Sequence, residues 1–326
     1  MSGRENLINP SSKLFSMIER LFSLGYSKQF AERYFELWGD RALKIAEAME
    51  KPLPRCFRVN TLRVEIPKLT KMLNKKGFQF KRVPWAKEGF CLTREPFSIT
   101  STPEYLGGLL YIQEASSMYP PIALDPKPGE VVADMAAAPG GKTSYLAQLM
   151  KNEGIIYAFD VGEERLKETR LNLSRLGVTN TILLHKSSLY MGELGIEFDK
   201  ILLDAPCTGS GTIHKNPERK ANRTLEDVKF CQNLQMQMVK VALENLKEGG
   251  VLVYSTCSLE PEENEFVVQW ALDNFDIELL PLRHGEPALT APFGIELSEE
   301  LSKARRFYPD AHNTSGFFVA KIRKKG

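Results

Sequence analysis

Apolar residues recur every three or four positions through residues 11–50 (SSKLFSMIERLFSLGYSKQFAERYFELWGDRALKIAEAME), a spacing that predicts amphipathic helices packed by one face. Two prolines in KPLPR, residues 51–55, break that rhythm. Beyond them the segments shorten: CFRVNTL, FQFKRVPW and FCLT predict strands and IPKLTKMLNKKG a helix. Residues 55–112 therefore read as a small α/β unit. From Pro128 the pattern changes again, to VVADM (131–135), IIYAFD (155–160), TILLH (181–185), KILLDA (200–205) and GVLVYST (250–256). Helical stretches starting near Lys142, Glu163, Thr224 and Glu262 separate these runs. Apolar runs without a polar face, alternating with helices, predict a parallel sheet covered on both sides. FDIELLPL and FFVAKI close the chain as a late pair of strands. The expected fold is α/β: a helical segment over 1–54, the small unit over 55–112, and a doubly wound seven-stranded domain over 113–326 with an antiparallel edge.

In such a sheet ligands gather beyond the carboxyl ends of the strands. The windows to inspect are Asp134–Thr143, Asp160, His185–Ser188, Asp204–Gly209 and Ser255–Ser258. DMAAAPGGKTSYLAQL (134–149) follows one strand and opens a helix, so small residues meet unpaired helix N–H groups. Its GGKT ending resembles a phosphate-binding loop, but that motif requires glycine where Ala136 stands, and the dinucleotide fingerprint fails as well. Asp160 ends the next strand about 20 residues on, where a carboxylate accepts hydrogen bonds from ribose hydroxyls. An acid there also serves as a helix cap. Together with the loop it favours a nucleoside-bearing ligand, with Arg165 one turn further on.

Composition narrows the class. The chain has 326 residues, 43% of them hydrophobic, and its net charge of +2 neither requires nor excludes a polyanion. Basic residues do cluster, in KMLNKKGFQFKR (71–82), HKNPERKANR (214–223) and KIRKKG (321–326). Taken alone, each reads first as a solvated charged surface. There is no apolar run of membrane-spanning length and no signal-peptide core in MSGRENLINPSSKLF, so a cytoplasmic protein is expected. Five cysteines without CxxC spacing argue against a disulfide framework and a zinc site, and four dispersed histidines argue against any metal.

Two cysteines stand apart. Cys207 in DAPCTGSG and Cys257 in YSTCSLEPEEN each follow a strand of the sheet, and Asp204 lies beside the first. An isolated free cysteine is ordinarily a small buried hydrophobe. Two thiols and an acid at the ligand-binding edge instead suit conjugate addition to a pyrimidine. A thiolate adding to carbon-6 of cytosine makes carbon-5 nucleophilic, an acid at the ring nitrogen takes up the developing charge, and a base later removes the carbon-5 proton. Lys142 is placed to favour the thiolate.

RVNTL (58–62), YIQEASSM (111–118), DMAAAPGGKTSYLA, DAPCTGSGT, YSTCSLEPEENE and RFYPDAHNTSGFF (306–318) occur in one order over residues 55–326. In this the chain resembles the Nop/Sun (Fmu-like) family of S-adenosylmethionine-dependent RNA cytosine-5 methyltransferases. The resemblance implies a Rossmann-like methyltransferase domain with a small RNA-recognition-like extension, S-adenosylmethionine as cofactor and RNA as partner. It implies that Ala136, Ala137, Ala138, Pro139, Gly140, Gly141 and Lys142 wrap the cofactor, that Asp160 holds its ribose, and that Asp204 contacts the cytosine. Cys257 matches the nucleophile, and Cys207 the second cysteine of base chemistry and release. Three positions depart from the family pattern: Ser187 or Ser188 where an acid near the adenine is usual, HKNPERKANR after the first cysteine motif, and Ser315 in place of an aspartate. The family's appended RNA-binding modules are not seen, which leans toward transfer RNA over ribosomal RNA. A DNA cytosine-5 methyltransferase using Cys207 as nucleophile is the rival reading, and it leaves Cys257 unexplained.

Overall fold

The computed structural model describes residues 10–326; the start of the predicted 1–54 segment, with the N-terminal stretch read for a signal peptide, lies outside the described residues. The amphipathic stretch folds as three helices, Pro10–Ser23, Lys28–Trp38 and Arg41–Met49. Their apolar faces do not form a separate core. Phe30, Tyr34, Ile45 and Met49 pack with Ile213, Leu259 and Tyr308 of the large domain, so the helical segment buttresses loops that follow both cysteine motifs.

The small unit contains β1 (Cys56–Val59), a helix (Ile66–Lys75), β2 (Gln79–Val83), β3 (Ala86–Arg94) and β4 (Leu110–Ile112). Its sheet runs β2-β3-β1-β4 and is antiparallel throughout. One sequence expectation is overturned here. Cys56 and Cys91 face each other across β1 and β3 and form a disulfide over a separation of 35 residues. Strand register, which cysteine spacing does not reveal, brings them together; Cys207, Cys231 and Cys257 remain free.

The large domain holds β5 (Val131–Asp134), β6 (Ile155–Asp160), β7 (Thr181–His185), β8 (Phe198–Asp204), β9 (Leu246–Thr256), β10 (Ile277–Leu280), β11 (Glu286–Pro287), β12 (Arg305–Phe307) and β13 (Phe317–Lys324). Strand order is β11-β12-β13-β9-β8-β5-β6-β7, with β10 also paired to β13. Strands β5 to β9 are parallel, and β13 inserts antiparallel against β9. The seven expected strands are all present; β4, β11 and β12 were not expected. Ile201, Leu202 and Leu203 of β8 are fully buried, as a strand covered on both faces requires. The chain leaves β5 toward β6 on one side and returns to β8 on the other, so the switch point lies between the ends of β5 and β8. Asp134 with the glycine loop, and Asp204, sit there.

The two α/β units are riveted beside that point. Arg58 of β1 is buried, donates to Ser144 Oγ at 2.8 Å and Gln148 Oε1 at 2.9 Å, and lies 4.3 Å from the Tyr145 ring centroid. All three partners are on the helix that follows the glycine loop (Gly141–Leu149). Burial pulls the Arg58 guanidinium down to about 10.

Candidate active site

The glycine loop is held from below by Asp134, which accepts from Thr143 Oγ1 at 2.7 Å and from the Ala136 amide at 3.3 Å. Burial raises this carboxyl to about 6. The loop is held from the side by β6: the Ala137 amide donates to Phe159 O at 2.9 Å, and the Ala138 amide to Asp160 Oδ2 at 3.2 Å. Gly140, at φ 95°, supplies the left-handed residue from which the helix starts. Asp160 also accepts from the Gly162 amide at 2.9 Å, and Arg165 Nη2 donates to Ala138 O at 3.1 Å. A carboxylate with two amide partners keeps lone pairs for two further donors.

Across the switch point, Asp204 Oδ2 takes Lys142 Nζ at 2.7 Å and Oδ1 takes Ser255 Oγ at 2.8 Å. Lys142 also donates to Ser117 Oγ at 2.8 Å. Burial alone would lower the Lys142 pKa, but the adjoining Asp204 carboxylate outweighs it and raises it, so the ammonium is retained. The sulfurs of Cys207 and Cys257 are 3.3 Å apart although the residues are 50 apart in sequence. Both thiols are partly exposed. Their hydrogen bond acts in opposite directions on the pair, lowering Cys257 and raising Cys207. Burial opposes ionisation of both, and Lys142 and Arg219 favour a Cys257 thiolate. Of the two thiols, Cys257 is therefore the more readily ionised.

Two cavities meet at this cluster. The larger, about 520 Å³, runs from Asp160, Arg165 and Ser187 past Leu234 and Met238 to Pro206 and Cys207. The smaller, about 320 Å³, opens on the other side among Tyr111, Glu114, Ser117, Lys142, Lys215 and Ser315. Both are lined by Ala136, Ala138, Asp204 and Cys257, which form their common wall.

The sequence-predicted residues are thus assembled at one place but divided between two chambers. Ala136, Ala138, Asp160, Arg165, Ser187 and Asp204 line the larger cavity. Ala137, Pro139, Gly141 and Lys142 line the smaller, and Gly140 shapes the turn without lining either. In the cluster HKNPERKANR three of the four Lys/Arg side chains are turned inward, and Lys215 is exposed. Lys220 binds Glu50 at 2.7 Å, Arg223 binds Tyr34 Oη at 2.8 Å, and Arg219 binds Thr212 Oγ1 at 2.9 Å. By contrast Lys71, Lys75, Lys81 and Arg82 of the small unit are exposed. Sequence reasoning gave no role to Ser117, Glu114, Ser255 or Glu263. Glu114 accepts from Ser116 Oγ at 2.5 Å and from the Ser315 amide at 3.0 Å, closing the rim of the smaller cavity. The only signal for these residues was their position inside YIQEASSM and YSTCSLEPEENE.

Comparison with known proteins identifies the family. A sequence profile described as 16S rRNA methyltransferase RsmB/F matches residues 121–323, and one for the N-terminal domain of 16S rRNA methyltransferase RsmF matches residues 27–115. The chain is 40% identical over 303 residues to a tRNA (cytosine(49)-C(5))-methyltransferase of Pyrococcus abyssi, covering 91% of this chain and 96% of that one. It is 42% identical over 289 residues to a 28S rRNA (cytosine-C(5))-methyltransferase of Mus musculus, covering 86% of this chain. There the chain spans only 36% of the relative's length, and it spans 36–55% of the other eukaryotic rRNA relatives. A crystal structure of a methyltransferase homolog protein from Pyrococcus horikoshii superimposes with a TM-score of 0.91 at 75% identity, covering 97% of this chain and all of that one. With a family profile across most of its length and a relative matched nearly end to end, the chain belongs to the RsmB/F family of methyltransferases.

Proposed function

We propose that this protein transfers a methyl group from S-adenosylmethionine to carbon-5 of a cytosine in RNA, through a covalent bond to Cys257. The observation that carries this is the common wall: Cys257 and Asp204 face both cavities, so a group bound on one side meets a base bound on the other. The 520 Å³ cavity fits the cofactor by its donor set. It offers a carboxylate with spare lone pairs at Asp160, a loop of small residues, and an apolar side at Leu234 and Met238. S-adenosylmethionine supplies there an electrophilic sulfonium methyl.

The chain's own residues supply the rest. Cys257 Sγ bonds to carbon-6 of the cytosine, and the displaced electron pair reaches the ring nitrogen, where Asp204 and the Lys142 ammonium meet it. Carbon-5, now enamine-like, takes the methyl group. Loss of the carbon-5 proton to a base re-forms the double bond as the carbon–sulfur bond breaks and its electrons return to Cys257. Cys207, with its S–H beside that sulfur, stabilises the thiolate before addition and again as it leaves. The target base must be turned out of any helical stack to reach this chamber. The exposed lysines of the small unit suit backbone phosphates near it. Transfer RNA is the favoured substrate, because the relative matched over nearly its whole length is named for that activity.

A pair of variants incubated with cofactor and RNA tests the assignment. Cys257→Ala should give neither product nor adduct, and Cys207→Ala should accumulate a denaturant-resistant protein–RNA adduct. An adduct formed by Cys257→Ala refutes the proposal and favours Cys207 as nucleophile, the arrangement of the DNA enzymes.

A further inference from the structure

Glu263 lines neither cavity and is fully buried, yet its carboxylate collects donors from both cysteine loops. Oε1 accepts from Ser258 Oγ at 2.6 Å and from Thr208 Oγ1 at 2.5 Å. Oε2 accepts from the Thr208 amide at 2.8 Å and from Gln235 Nε2 at 3.1 Å. Thr208 directly follows Cys207 and Ser258 directly follows Cys257, while Gln235 also donates to Pro206 O at 2.9 Å. The glutamate is itself fixed, since Tyr254 Oη donates to its carbonyl at 2.5 Å and its amide donates to Glu260 O at 3.2 Å.

The sheet does not fix the thiols. The last ladder pairing between β8 and β9 is Asp204 with Ser255, followed by the Ala205 amide to Ser255 O at 2.8 Å. Beyond it the ladder ends, and a thiol–thiol hydrogen bond is too weak by itself to hold the sulfurs in contact. The Gly211 amide to Cys257 O at 2.9 Å and Ser210 Oγ to Ser258 Oγ at 3.1 Å add support further along. Glu263 is the point at which the residue after each thiol converges. Four donors on two oxygens describe an ionised carboxylate, which only accepts. Its negative charge, set behind Cys207, disfavours a second anion there.

We propose that Glu263 is a positioning residue that sets the contact between the two sulfurs and directs ionisation to Cys257. This rests on the reading of Cys257 as the nucleophile. Other groups face the same cluster: Lys142, Arg219 and Asp204 beside Cys257, Asp204 beside Cys207, and Glu260, Arg223, Cys231 and Tyr254 around Glu263. They are unaltered in the test below.

Two variants of the full chain separate charge from framework. Glu263→Gln keeps an oxygen for the Thr208 amide and Gln235 and turns its amide N–H groups toward the two hydroxyls, but removes the charge. Glu263→Ala removes both. Iodoacetamide labelling of each cysteine is followed against pH by mass spectrometry without RNA. Wild type should label at Cys257 before Cys207 near neutral pH. Glu263→Gln should move the Cys207 midpoint down by about one unit, so that the preference for labelling Cys257 narrows roughly tenfold, and Glu263→Ala, which also frees the two loops, should narrow it further. Cofactor affinity measured by calorimetry should stay within about threefold, as neither cavity is touched. A folded Glu263→Gln with the wild-type labelling profile overturns the proposal even if Glu263→Ala does not fold. Because the profile is read without RNA, it is independent of whether the chain methylates cytosine.

Discussion

Removing the guanidinium of Arg306 should unfold the large domain more readily than any surface change. Arg306 of β12 and Glu265 at the start of the Glu265–Asn274 helix form an ion pair with both side chains at 0% exposure. The pair is bidentate, with Nε to Oε1 at 2.6 Å and Nη2 to Oε2 at 2.5 Å. Nη1 donates to Leu259 O at 2.9 Å, so the arginine also holds the segment just past Cys257. Glu265 has one further partner, the Leu289 amide at 3.0 Å. Arg306→Ala therefore leaves a carboxylate in the core with a single N–H and no cation, a loss of about 3–5 kcal/mol. At roughly 2–4 °C per kcal/mol for a domain of this size, the melting temperature should fall by about 6–20 °C. The double variant Arg306→Met with Glu265→Leu removes the unpaired charge together with the pair. Since desolvating two ions consumes most of their mutual attraction, it should lie within about 2 kcal/mol of wild type. Urea unfolding followed by tryptophan fluorescence reads all three proteins. The reasoning is refuted by a single variant within about 1 kcal/mol of wild type, or by a double variant as unstable as the single one.

Two further outcomes follow from the loop that joins the cavities. Asp134, raised by burial to about 6 from 3.8, binds a proton in the folded state that the unfolded chain has already released, so it contributes stability below about pH 4 that is lost as pH rises through 6. Asp134→Asn still accepts the Ala136 amide and meets a reoriented Thr143 hydroxyl; its stability relative to wild type should rise by up to about 3 kcal/mol between pH 4 and pH 7 in urea titrations, and a pH-independent difference contradicts the assignment. Gly141→Ala places a methyl group 2.9 Å from the Tyr111 ring, which lines only the smaller cavity. Steady-state kinetics should show KM for RNA rising several-fold with cofactor KM within about twofold, and the reverse order would exchange the roles of the two chambers.

The sequence made the parallel strands legible because each is a continuous apolar run between helices, and Ile201 to Leu203 show why: neither face meets water. Strands β4, β11 and β12 have two or three residues each, too few for any period to register. Asp160, Asp204, Cys207 and Cys257 were found by asking what ends each strand, a question that topology answers. Glu263 was invisible to it. Its partners Thr208 and Gln235 are 55 and 28 residues away, and a buried carboxylate satisfied by hydroxyls and amides leaves no spacing to read. HKNPERKANR stays open at the level of sequence for a related reason, because charge density in sequence does not say which way a side chain points. Lys220 and Arg223 find Glu50 and Glu260, at 2.7 and 3.1 Å, in other segments of the chain.

The helical segment extends that lesson to the site. Glu260, three residues past Cys257, has 0% side-chain exposure and is held by Tyr34 Oη at 2.9 Å and by Arg33 at 3.3 Å, both on the Lys28–Trp38 helix. Arg223 at 3.1 Å joins it from the segment that follows the Cys207 loop. Buried Arg223 compensates that carboxylate, and Arg33, which also pairs with Glu262 at 2.7 Å, couples it to a second acid. One network therefore ties the N-terminal helices to the continuations of both cysteine loops, while Glu263 ties those loops to each other. A thiol pair that must meet, exchange roles and part requires a separation maintained to within a fraction of an ångström. Two buried carboxylates, one facing inward and one toward the helices, maintain it without entering either cavity.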